Sequence, residues 1–187
     1  MLARIGTDRS GAAPIYAVDD VFADLFEANA RYAAVKHEVF PSGVARRSLA
    51  IVTCIDSRID PLAVFGLVPG DAKILRNAGA RVTPDVLRTL ALAVAVLGVT
   101  RIAVVQHTDC KMESAPPGEL RRAVEESVGT PLPDFDPLAI DDHTTTLAHD
   151  VSAVLDSGLI AAGTVVAGLV YDLHSGRLST VVAPRQR

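Results

Sequence analysis

From Ser48 onward the chain alternates short apolar runs with stretches of helical spacing, and no other feature narrows its fold as far. Ser48–Cys54 and Arg101–Gln106 are short and mostly apolar, as strands buried inside a parallel sheet are. Ala72–Leu75 reads as another short strand, followed by a glycine-bearing turn at Arg76–Gly79. Between the strands stand helix starts with an aspartate or threonine cap and a proline in the first turn: Asp60-Pro61, and Thr83-Pro84-Asp85 opening a helix to Leu97. Upstream, Val18, Val21, Phe22, Leu25, Phe26, Ala30 and Ala33 recur at helical spacing between Val18 and Phe40. A helical piece spans Glu119–Val128 inside a stretch (116–141) that holds five of the eleven prolines and otherwise reads as a surface excursion. A helix over Thr144–Leu155 follows. Thr164–Tyr171, the turn His174-Ser175-Gly176 and Leu178–Val182 then make a hairpin. Strands alternating with helices predict an α/β fold: a mainly parallel β-sheet flanked by helices on both faces, with an antiparallel edge hairpin at the C-terminus. No internal repeat breaks the chain, so residues 1–187 are expected to form one domain, with 1–16 as a loose arm and 17–40 as a helical arm.

Charge and composition exclude several classes of partner. The net charge of -4 and the scattered basic residues give no field for nucleic acid. The most apolar stretches, Leu90–Val99 and Gly158–Val170, fall short of the roughly 20 residues needed to cross a membrane. The opening MLARIGTDRS lacks the apolar core of a secretory signal, which makes the cytoplasm the expected compartment. Two cysteines, far apart, are too few for a disulfide framework and suit a metal or catalytic role in a reducing compartment.

Those two cysteines fall at informative places. In open α/β sheets, ligands bind beyond the carboxyl ends of the strands, where the strand order reverses. Cys54 closes the first strand; His107 follows the third, with Cys110 three residues on. If these strands are neighbours, two thiolates and an imidazole converge. That is a zinc donor set, with a fourth tetrahedral position left open as in catalytic sites. In Cys54-Ile55-Asp56-Ser57-Arg58 the carboxylate and guanidinium are two residues apart and can face one way, Arg58 giving Asp56 a bidentate hydrogen bond.

Cys-Ile-Asp-Ser-Arg at 54–58, Arg-Asn-Ala-Gly at 76–79 and His-Thr-Asp-Cys at 107–110 together resemble the β-class carbonic anhydrases, in order and spacing, over about residues 18–182. The short chain is similar to the compact bacterial members. The resemblance implies one zinc ion per subunit on Cys54, His107 and Cys110, with Asp56 and Arg58 as the catalytic dyad and Asp56 as a fourth ligand in a closed state. It implies reversible hydration of carbon dioxide to bicarbonate and a proton by zinc-bound hydroxide, with activity that rises with pH if Arg58 has to draw Asp56 off the metal. Two alternatives go with it. One is a non-catalytic zinc-binding relative that acts as a sensor or bicarbonate-binding module. The other is a hydrolase of a CO2-like substrate such as carbon disulfide. Carbon dioxide and bicarbonate are the implied small-molecule partners, and a homodimer or homotetramer is the implied assembly, paired through the first helix and the sheet edge.

The chain departs from the family pattern at Lys111, where glycine is usual after the second cysteine; a left-handed backbone there would strain a lysine. Ile55 and Ile59 are expected to pack near the strand ends or to line a small pocket. His143 and His149 are expected to be solvated, His37 to close the first helix, and His174 to sit in the hairpin turn.

Overall fold

The computed structural model describes residues 21–35 and 42–187. The chain separates into two units, residues 1–41 and 42–187, each described by itself. In the first, helix α1 spans Ala23–Val35. The predicted arm over 1–16, the outer ends of the predicted 17–40 helix and His37 lie outside the described residues.

The second unit runs β1 (Leu49–Cys54), α2 (Pro61–Val64), β2 (Ala72–Asn77), a 3-10 turn (Ala78–Ala80), α3 (Pro84–Val96), β3 (Arg101–His107), α4 (Lys111–Ser114), α5 (Pro117–Val128), α6 (His143–Asp156), β4 (Val165–Tyr171) and β5 (Leu178–Gln186). The helix starts follow their caps. The Asp60 carboxylate accepts from the Leu62 and Ala63 amides, Thr83 from Val86, and Asp142 from Thr145. At the end of α3 the chain turns at Gly98 with φ +72°, and a Cβ there would stand 2.7 Å from Val44 Cγ1.

The five strands lie in the order β2-β1-β3-β4-β5. The first four are parallel, and β5 runs antiparallel to β4. The order reverses between β1 and β3, which places a topological switch point at the carboxyl ends of those two strands. Alternation along the strands sends Ala50, Val52, Ile102, Val104 and Val166 to one face. There they pack with Val86, Leu90 and Ala93 of α3 and Leu147, Val151 and Val154 of α6. On the opposite face, within the 42–187 unit, the four-residue α2 lies beside Phe65 and Leu67, over Ile51 and Val105. A groove of ≈ 500 Å³ lies there, lined by Leu49, Ile51, Phe65, Leu67 and Leu169 and flanked by Arg47 and Arg101.

Differences from expectation are local. β2 runs on through Arg76 and Asn77 into what reads as a turn, because Asn77 still pairs with Cys54 in the ladder. His107 is the last residue of β3 and pairs with Tyr171, and β5 reaches Gln186. The short α4 directly after Cys110 has no signature in the sequence. No helix among the described residues is long and apolar enough to cross a membrane.

Candidate metal centre

Parallel pairing of β1 with β3 brings Cys54 and His107 to one end of the sheet, and Cys110 joins them as the residue that starts α4. All three are buried. Their donor atoms lie within 4.8 Å of one another, and the two sulfurs are 4.0 Å apart. Two thiolates on one tetrahedral zinc, each at ~2.3 Å, would stand roughly 3.8 Å apart. His107 Nδ1 lies 2.9 Å from the Thr108 carbonyl, so Nδ1–H donates there and Nε2 carries the lone pair. That Nε2 is buried and has no hydrogen-bond partner. An orphaned buried nitrogen facing two buried sulfurs is the signature of a group that expects a cation.

Protonation across the cluster is uneven. The Cys110 thiol lowers the Cys54 pKa by hydrogen bonding to its sulfur, against the effect of burial, and the His107 side chain and the Asp56 and Gly79 amides assist. Cys110 is pushed up by the same contact and by burial. The pair therefore shares one proton across the sulfur–sulfur contact. Burial works against charge on His107, but the nearby Cys54 sulfur and the Thr108 carbonyl raise its pKa on balance.

Asp56 sits beside this cluster, with Oδ2 3.8 Å from His107 Nε2. The Arg58 guanidinium donates to both Asp56 oxygens, Nε at 3.0 and 3.2 Å and Nη2 at 2.7 Å, and the Arg58 amide donates at 2.9 Å. These bonds hold the carboxyl well below the usual carboxylate range, so Asp56 is an anion at any working pH. A cavity of ≈ 130 Å³, lined by Cys54, Ile55, Asp56, Ala78, Cys110, Lys111 and Met112, opens next to the sulfurs. Ile55 is exposed at this cavity, whereas Ile59 packs in the core with both cysteines. Lys111 is the first residue of α4 and therefore helical; the left-handed residue of the loop is Asp109, at φ +58°.

Several supports, some of them inside the quoted motifs, have roles that the spacing of the sequence does not reveal. Arg76 donates to the carbonyls of Cys54 (2.8 Å), Asp56 (2.6 Å) and Ile59 (3.2 Å), fixing the loop that follows β1. At Gly79, with φ +74°, a Cβ would meet the Met112 side chain at a tight 3.3 Å. Asp109 accepts from Arg58 across the site. His143 departs from its expected solvated state: it is largely buried, with Nδ1 2.9 Å from the Gln106 side chain and Nε2 3.3 Å from Glu113. His149 stays exposed.

Similarity to known proteins agrees with this geometry. The carbonic anhydrase family model matches residues 49–130. Beta-carbonic anhydrase 1 of Mycobacterium tuberculosis is 31% identical over 135 residues, 72% of this chain and 82% of that protein. A carbon disulfide hydrolase of Acidithiobacillus thiooxidans is 28% identical over 170 residues, covering 79% and 78%. The carbonic anhydrase of Streptococcus mutans superposes with a TM-score of 0.80 at 33% identity, over 86% of this chain and 96% of that one. The chain belongs to the β-carbonic anhydrase family.

Proposed function

We propose that this chain catalyses the reversible hydration of carbon dioxide to bicarbonate and a proton, with zinc held by Cys54, His107 and Cys110. The observation that carries this reading is the bare, buried Nε2 of His107 facing two sulfurs 4.0 Å apart, with an anionic Asp56 alongside. Zinc held by Cys54, His107 and Cys110 would acidify water and so supply the hydroxide nucleophile. Asp56 is a permanent acceptor: it takes a hydrogen bond from the attacking water and aims the remaining lone pair at the carbon of CO2. Arg58 keeps Asp56 in place and ionised. The ≈ 130 Å³ cavity suits a linear triatomic and is far below the roughly 300 Å³ of a drug-sized pocket.

Stopped-flow CO2 hydration on the protein loaded with one equivalent of zinc tests the proposal. Rates above the buffer background that vanish in Cys54→Ser support it. Stoichiometric zinc with no hydration would favour the non-catalytic binding module, in which Asp56, 3.8 Å from His107 Nε2, occupies the fourth position.

The similarity to carbon disulfide hydrolases favours a second substrate. Hydrolysis of carbon disulfide to carbon dioxide and two molecules of hydrogen sulfide needs the same oxygen nucleophile. Release of sulfide from carbon disulfide by the zinc-loaded protein would therefore move the reading to that substrate. We place the chain in the cytoplasm, because two cysteines in sulfur–sulfur contact have to stay reduced to act as donors. We also propose that it acts as a homodimer or homotetramer, with the apolar face beside α2 as the surface a second copy covers.

A further inference from the structure

The hydrogen bonds between Arg58 and Asp56 join residues two apart on one loop. They fix the guanidinium relative to the carboxylate, but they do not fix either group relative to the cysteines and His107. Arg76 holds the backbone of this loop through the Asp56 carbonyl, but it makes no contact with the carboxylate or the guanidinium. Something else has to set the direction of the pair.

The second set of Arg58 contacts crosses 51 residues, to the loop between His107 and Cys110. Arg58 Nη1 donates to Asp109 Oδ2 at 2.6 Å, and Nη2 donates to the Asp109 carbonyl at 2.9 Å. Asp109 makes both contacts from a left-handed backbone, φ +58°, a conformation that costs a residue with a Cβ and that recurs where a site needs a fixed geometry. The guanidinium thus stands between two carboxylates, one on each donor-bearing loop. Asp56 Oδ2 is 3.8 Å from His107 Nε2, so a released carboxylate is within reach of an ion on that nitrogen.

We infer that Asp109 is a positioning residue: it anchors Arg58 from the opposite loop and thereby keeps Asp56 turned away from the open coordination position of the metal. The inference rests on the metal-site reading given above. It assigns Asp109 no contact with substrate; its effect passes through Arg58 to Asp56.

The test uses cobalt in place of spectroscopically silent zinc and thiocyanate as a probe anion for the open position, followed by visible absorption. Asp109→Gly removes the carboxylate and keeps a residue at ease with φ +58°; Asp109→Asn keeps an acceptor for Arg58 Nη1. Both variants remove a negative charge, which by itself would tighten anion binding. The expected result has the opposite sign. Asp109→Gly binds thiocyanate about tenfold more weakly, the scale of one lost hydrogen bond to a charged group, while Asp109→Asn stays near wild type. Adding Asp56→Ala to Asp109→Gly restores the affinity, because the competing carboxylate is gone. Cobalt-loaded Asp109→Gly with wild-type affinity overturns the inference, and so does a loss that survives Asp56→Ala. Wild-type protein that takes up no cobalt overturns the metal site itself, and the inference with it.

Discussion

Asp56 owes its charge to its neighbours. With Arg58 donating to both of its oxygens, the carboxyl stays ionised well below its ordinary range, so no change of rate between pH 6 and 9 belongs to its titration. Replacing it with asparagine preserves the shape, leaves the three donors intact and removes the anionic acceptor. Asp56→Asn should therefore keep a full equivalent of zinc by elemental analysis and lose about 10–100-fold in CO2 hydration. Cys54→Ser should lose the metal and the activity together. The donors make a separate prediction about pH. The two thiols share one proton across their contact, and the pKa of His107 is raised. A metal must displace the protons that folding has raised, so apparent zinc affinity climbs with pH. One proton should leave per ion while His107 is neutral, and close to two once it is protonated. Chelator competition across pH 6 to 8 measures that slope; a flat affinity would contradict the shared proton.

The site depends on how the 3-10 turn after β2 is tied to α6. Arg81 donates from Nε to Asp150 Oδ2 at 2.8 Å and from Nη2 to Oδ1 at 3.2 Å, and Nη1 donates to the Leu138 carbonyl at 2.8 Å. Asp150 is 1% exposed and Arg81 12%. Arg81→Met strands the carboxylate in the core and should cost about 3–5 kcal/mol, lowering the Tm by roughly 10 °C in a thermal melt. A shift of under 2 °C would mean that the pair is dispensable. None of this linkage is legible in the sequence, because its partners lie 69 residues apart and nothing local marks either one. What is legible is local or periodic. The apolar run into Cys54 marks a strand end, Thr83-Pro84 and Asp60-Pro61 mark helix starts, and the i, i+2 spacing of Asp56 and Arg58 places their charges on one side. The convergence of Cys54 with His107 needed one topological fact, that β1 and β3 are neighbours, and the motif resemblance already implied it. Arg76 shows the limit. Its motif is visible at 76–79, but its role as a donor to three backbone carbonyls depends on the curve of a loop about twenty residues upstream.

Seen as a whole, the 42–187 unit is dressed unequally. α3 and α6 close one face of the sheet, while the other presents Leu49, Ile51, Phe65 and Leu169 around a ≈ 500 Å³ groove, with α2 beside it within this unit. Its apolar lining and its arginine flank at Arg47 and Arg101 match the apolar centre and polar rim of a protein interface. Ala167 lies on β4 among the groove's lining residues, and α3 and α6 pack on the far side. A carboxylate planted at Ala167 therefore meets the groove and spares the α3–α6 core. Wild-type protein should elute as a homo-oligomer in light-scattering chromatography. Ala167→Glu should shift the mass toward one subunit while the far-ultraviolet circular dichroism stays unchanged, since a desolvated, unpaired charge at an interface costs several kcal/mol. A wild-type monomer at micromolar concentration, or an Ala167→Glu oligomer of unchanged mass, would remove the groove from the assembly and leave its exposure as a property of the single chain.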